Sequence, residues 1–185
     1  HTARVWQGAL PGLRLVREPA ADFSRAVTID GLARVVSLTS RELVTYAVRD
    51  DGTIYSWGYA PMIKGGLRRL PPFELRAPGV AGVRGIAAGT GHLCAWSNDA
   101  VWCWGDNARG QLGDGSRAGR LAPTRTRDIT GVTAMALSSA ASCALVRDGS
   151  VRCWGDNRAW LLGAARGRDT VAVPVAIEGV DRATQ

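Results

Sequence analysis

Val101-Trp102-Cys103-Trp104-Gly105-Asp106-Asn107 returns fifty residues later as Val151-Arg152-Cys153-Trp154-Gly155-Asp156-Asn157. The flanks repeat as well. Gly89-Thr90-Gly91-His92-Leu93-Cys94-Ala95-Trp96 precedes the first copy, and Ser142-Cys143-Ala144-Leu145 precedes the second. Gly110-Gln111-Leu112-Gly113 follows the first, and Leu161-Leu162-Gly163 follows the second. A period of this size marks a repeat architecture, in which each unit buries its apolar faces against its neighbours. Surfaces of that kind serve binding more readily than buried catalytic chemistry.

Weaker copies extend the pattern backwards. Trp57-Gly58 follows Tyr46-Ala47-Val48 and Asp51-Gly52-Thr53-Ile54, which align with Cys143-Ala144-Leu145 and Asp148-Gly149-Ser150-Val151. Val5-Trp6-Gln7-Gly8 keeps only the back half of the motif. The chain divides into a partial repeat (1–29), a degenerate repeat (30–80), two full repeats (81–130 and 131–180) and a tail (181–185).

Each repeat reads as short apolar segments between turns. Val132–Leu137 is one strand, Ser142–Val146 and Val151–Trp154 form a hairpin, and Val171–Ile177 is a fourth strand. Pro174 places that fourth strand at a sheet edge, where no partner needs its missing N–H. No stretch shows sustained helical periodicity. Four short strands per fifty residues is the unit of a β-propeller blade. The expected fold is all-β, with about three and a half four-stranded blades.

Composition bounds the function. The chain has 185 residues, 46% of them hydrophobic, and 23 glycines, which suits a packed core with many tight turns. No apolar run is long enough to span a bilayer as a helix. The net charge is +7, and among the 23 basic residues Lys64 is the only lysine. The arginines are scattered rather than gathered on one face, which points away from nucleic acid.

The four cysteines carry more information. Arg147-Asp148-Gly149 suits a three-residue hairpin loop with glycine in the left-handed conformation, setting Cys143 opposite Cys153. Asn98-Asp99 suits a two-residue loop, setting Cys94 opposite Cys103. Both pairs then fall at non-hydrogen-bonded positions, where Cα atoms lie about 4.5 Å apart and a disulfide can form. In the degenerate repeat, Tyr46 and Ser56 replace both cysteines together, as members of a bonded pair would be lost. Buried free thiols and a zinc site are the alternatives, but the C-x2–4-C spacing of zinc sites is missing. Disulfides imply an oxidising compartment, extracellular or periplasmic.

These motifs resemble the repeat of the regulator of chromosome condensation family. Repeat 81–130 matches best, through Gly89, His92, Trp104-Gly105-Asp106-Asn107, Gly110-Gln111-Leu112-Gly113 and Pro123. Repeat 131–180 keeps Trp154-Gly155-Asp156-Asn157 and Gly163 but departs at Trp160 and Leu161. Repeat 30–80 keeps Asp51-Gly52 and Trp57-Gly58. The resemblance implies part of a seven-bladed ring. The chain is then a piece of a longer protein; if it is complete, two copies would close the ring as a dimer. The resemblance spans secreted bacterial members, which suit the cysteines, and an exchange factor for a small GTPase with chromatin contact.

Catalytic, cofactor and metal residues are not evident, and the expectation is no enzyme and no cofactor. His92 is the only internal histidine and reads as a strand-entry residue bonded to backbone. The stretch from Asp106-Asn107 to Asp114-Gly115 lacks calcium-loop spacing and reads as a turn held by Asn107. Trp57, Trp104 and Trp154 read as blade core. Trp96, Trp102 and Trp160 have no evident aromatic counterpart in the other repeats. Trp102 and Trp160 are therefore candidate contacts, since tryptophan dominates binding hot spots. Ala60–Ala77, with Lys64, Arg68 and Arg69, reads as a longer loop on a binding face. The function expected is non-catalytic binding of a protein or surface ligand outside the cytosol; the alternative is regulation of a small GTPase.

Overall fold

The structure, a computed structural model, describes residues 29, 32–61, 67–75, 77, 79–158 and 169–177, with the backbone alone for 59–61 and 67–73. Among the described residues there are twelve β-strands and no helix. They form three antiparallel four-stranded sheets, each ordered as the chain runs. The first holds β1 (Val35–Arg41), β2 (Val44–Arg49), β3 (Ile54–Pro61) and β4 (Leu67–Glu74). The second holds β5 (Gly85–Ala88), β6 (His92–Trp96), β7 (Val101–Gly105) and β8 (Arg120–Arg125). The third holds β9 (Val132–Leu137), β10 (Ala141–Val146), β11 (Val151–Asp156) and β12 (Thr170–Ala176).

These are propeller blades. β5 contacts both β1 and β9, so the three first strands adjoin as they do at the centre of a propeller. Both faces of the middle blade are covered, which is why β6 is buried at every position and reads as an unbroken His-Leu-Cys-Ala-Trp. One face packs Ile86, Leu93 and Ala95 against Val48 and Ile54 of the first blade. The other packs Cys94, Trp96, Val101 and Cys103 against Val132, Ala144 and Trp154 of the third. Most strand prolines sit on the outermost strands, Pro71 and Pro72 in β4, Pro123 in β8 and Pro174 in β12, while Pro61 ends the inner strand β3.

Both hairpins have the expected register. Cys94 stands opposite Cys103 and Cys143 opposite Cys153, and each pair is a disulfide, with Cα atoms 4.2 and 4.1 Å apart. Gly149 takes φ 85° in the three-residue turn, where Val146 N donates to Ser150 O. In the first blade, Tyr46 and Ser56 face one another at the same register position. Thiol titration of the unfolded, unreduced chain should find close to no free thiol. Four titratable thiols would remove both bonds.

The Trp-Gly pair has a structural reason repeated three times. Register shifts occur between Ser56 and Gly58, Cys103 and Gly105, and Cys153 and Gly155. At each shift the glycine has a positive φ: 129° at Gly58, 108° at Gly105 and 108° at Gly155. A Cβ at these positions would strike a carbonyl oxygen, of Leu43, Gly91 or Ala140, in the turn between the first two strands of the same blade. In two blades that carbonyl accepts the N–H of the next residue, Asp106 N to Gly91 O and Asp156 N to Ala140 O. The close approach that excludes a side chain also makes the bond.

Candidate functional site

The most organised part of the molecule is the seam between the second and third blades. Asn107 is fully buried at the start of the loop after β7. Its Oδ1 accepts from Leu112 N at 3.0 Å, and its Nδ2 donates to Ala118 O and Asp114 Oδ1 at 3.1 and 3.2 Å. Burial works to raise the Asp114 pKa, but donors from Ser116, Asn107 and Arg120 outweigh it, and the carboxyl lies below its usual range. The stretch that resembles a calcium loop is thus a turn closed by its own donors. Among the described residues no group of three or more His, Cys, Asp or Glu could hold a metal ion.

This turn presses Gly110–Gly113 into the third blade. A Cβ at Gly113 would lie 2.8 Å from Trp154 Nε1, and one at Gly110 would lie 2.8 Å from Ala172 Cα. Gln111 is the hub. Its carbonyl accepts from Trp154 Nε1 at 2.8 Å and from Ser142 Oγ at 2.9 Å. Its amide donates to Asp106 Oδ2 and accepts from Arg109 N, both at 2.9 Å. Ser142 Oγ also meets His92 Nε2 at 2.8 Å. His92 therefore bonds a side chain of the next blade, and the expectation of a backbone partner is corrected. The chemistry of this cluster is structural: Ser142 is fully buried, and its one proton is committed to Gln111 O.

Trp154 is core, as its position in the repeat suggests, and is fully buried. Trp104 and Trp57 stand at the same position but are only half-buried. Trp104 packs on the first blade, whose sequence lacks the Gln-Leu-Gly loop that covers Trp154. Trp96 is buried against the third blade and presents no contact surface.

Of the candidate binding residues, Trp102 alone has a described side chain. Trp160 and Lys64 lie outside the described residues. Arg68 and Arg69 pair with Ala60 and Tyr59 in β4, the outer edge of the first blade. The longer loop expected over Ala60–Ala77 is mostly strand, because β3 runs to Pro61 and β4 spans Leu67–Glu74. Pro71 and Pro72 are tolerated at that edge. Trp102 is half-buried on β7, opposite Ala95 and Arg125. It has an aromatic counterpart after all. Tyr55 occupies the same register position in the first blade, opposite Ala47.

Sequence reading missed an apolar stripe on β1 and its turn. Val36, Leu38 and Leu43 are exposed, Leu38 by 62%. The alternation of Val36 and Leu38 signals a buried strand face, but nothing local in the sequence says what covers it. Part of the charged surface is self-paired, as at Arg34–Asp50 and Arg49–Asp51. Arg158 bonds Asp156 and lowers that carboxyl to about 2.

Residues 98–145 match the regulator of chromosome condensation (RCC1) repeat, and residues 132–159 match a second description of it. The first match runs out of phase with the sheets, taking β7 and β8 from one blade and β9 and β10 from the next. The human E3 ubiquitin-protein ligase HERC2 is 32% identical over 160 residues, covering 79% of this chain and 3% of the ligase. The ultraviolet-B receptor UVR8 of Arabidopsis thaliana is 28% identical over 144 residues, covering 74% of this chain and 32% of the receptor. The chain thus spans at most about a third of these relatives. Prp20p from Saccharomyces cerevisiae, which binds Gsp1p and histones, superposes with TM-score 0.64 at 23% identity, over 80% of this chain and 39% of Prp20p. Human WBSCR16 superposes with TM-score 0.67 at 21% identity, over 82% and 41%. The matched repeats and the three blades agree: residues 98–159 carry repeats of the regulator of chromosome condensation type, set in a propeller fold.

Proposed function

We propose that this chain is part of a propeller scaffold that binds a protein or surface ligand without catalysis, in an oxidising compartment outside the cytosol. The observation that carries the reading is the pair of cross-strand disulfides, one in each of two successive blades. Such bonds persist where glutathione does not keep thiols reduced. The repeated core supports a binding role, because the features that differ between blades are free to specify a partner. The buried, committed state of Ser142 and His92 supports a site without nucleophilic chemistry. Regulation of a small GTPase is the second reading, favoured by the structural match to Prp20p.

Two measurements test the reading. Thiols in protein taken directly from cells are trapped by alkylation and counted, in the extracytosolic and cytosolic fractions separately. Oxidised protein outside the cytosol is expected; reduced protein in the cytosol would refute the compartment. Binding partners are then captured with the complete protein and with Trp102→Ala, Trp160→Ala and an Arg68→Ala, Arg69→Ala double variant. At least one variant should weaken capture by about ten-fold, the scale of 1.4 kcal/mol. The arginine contribution should fall with added salt. Stimulated nucleotide release from a small GTPase would favour the second reading.

A further inference from the structure

We propose that the seam between the second and third blades is an acid-sensitive latch, held by neutral His92 and released when its free ring nitrogen takes a proton. The geometry fixes the resting state. Ser142 Oγ has one proton and donates it to Gln111 O at 2.9 Å. The 2.8 Å contact between Ser142 Oγ and His92 Nε2 is therefore donated by the imidazole. His92 carries its proton on Nε2, and Nδ1 is a bare lone pair. That Nδ1 is the one buried side-chain polar atom without a partner among the described residues.

Among the described residues no acceptor is bonded to His92 Nδ1, and Ser138 O and Nδ1 both border the space beside Gly89. His92 is 3% exposed. From its own blade, Gly89 packs so close that a Cβ there would lie 2.6 Å from His92 Cε1. Ser142 is the neutral partner from β10, and the neighbouring Ser138 oxygen bounds the same space at Gly89. The charged group that acts on the ring is Asp106, which favours protonation, but burial outweighs it and holds the pKa near 4. Asp106 is itself engaged by Gln111 Nε2 and Ala108 N. From the first blade, Arg41 reaches the same turn, where its Nη2 donates to Thr90 Oγ1. In this proposal the protonated ring swings towards Asp106 or water. That breaks the Ser142 bond and frees the serine that helps pin Gln111 under Trp154.

The other seam supplies an internal control. By the register of the paired strands, Val44 and Leu93 hold the positions between the first and second blades that His92 and Ser142 hold between the second and third. Neither titrates. Acid should therefore act on one seam and spare the other.

The sign follows from proton linkage. The freed imidazole has the ordinary value of 6.5 and the latched one about 4, so the open seam binds more protons in this window. Latching is complete above 6.5 and is lost as pH falls towards 4. The test is amide hydrogen exchange on the full 185-residue chain, with disulfides intact, at pH 7 and pH 4.5, corrected for intrinsic exchange. Gly115 N reports the latched seam, since it donates to Ala172 O across it at 2.9 Å. Ile86 N reports the control seam through Ser37 Oγ. Protection at Gly115 should fall by roughly ten- to fifty-fold, while Ile86 stays within about two-fold. His92→Gln, which cannot titrate, should abolish the difference. Equal loss at both seams, or the same loss in His92→Gln, overturns the proposal. If His92→Gln does not fold, imidazole NMR on the wild type decides, with His1 the only other histidine signal. A protonated Nε2 with a midpoint well below 6.5 supports the latch; a protonated Nδ1 or a midpoint at 6.5 ends it.

Discussion

Gly105→Ala is expected to leave little folded protein, with a loss of about 3 kcal/mol or more in unfolding free energy. Two costs combine. The backbone stands at φ 108°, a conformation that essentially only glycine occupies. The new Cβ would also meet the backbone oxygen of Gly91, which cannot turn aside as a side chain could. Because the same oxygen accepts from Asp106 N, relieving the clash would break that bond. Asp106 in turn holds Gln111, so the damage should reach the seam with the third blade. Chemical denaturation of wild type and variant checks this. Gly115→Ala is a suitable comparison: its φ is 84°, but its Cβ would meet only the flexible Arg127 side chain, so its cost should be smaller.

Trp154→Ala should cost about 3–5 kcal/mol, the usual range for removing a fully buried aromatic. The side chain is wholly enclosed, and its Nε1 makes one of the two bonds on Gln111 O. Truncation leaves a cavity beneath Gly113 as well as a weakened hub. Trp104→Ala should cost less, since Trp104 is half-buried at the equivalent position. Equal losses would show that the loop over Trp154 adds nothing. Trp154→Ala combined with Ser142→Ala should lose less than the sum of the singles, because both act on one carbonyl.

Much of this architecture was legible in the sequence. The fifty-residue period gave the blades, the turn residues gave the register, and the register gave both cysteine pairs. Val132–Leu137 was read to the residue, because a short alternating segment between turns has few other solutions. What escaped was the relation between blades. His92 and Ser142 look like ordinary strand residues until two sheets bring them to 2.8 Å. Ala60–Ala77 read as a loop because its prolines oppose a central strand, and sequence alone does not say which strand is at the edge. Tyr55 was overlooked as the counterpart of Trp102 although each stands two residues before the Trp of its Trp-Gly pair, an alignment that the paired strands repeat. The proposed binding site stayed illegible for a related reason. Trp160 and Lys64 are outside the described residues, and Trp102, Arg68 and Arg69 share no motif with a fixed geometry.

The Cys94–Cys103 bond has a consequence for how the protein matures. Both cysteines are completely covered, on the face of the second blade that the third blade packs upon. An oxidant can reach them only before that blade docks or after it lifts. The hairpin, with its cysteines nine positions apart, can close on its own, so the natural order is hairpin, bond, then blade. A chain folded first in reducing conditions would shut two thiols inside the joint. Their later rate of oxidation would then measure how often one blade parts from the next.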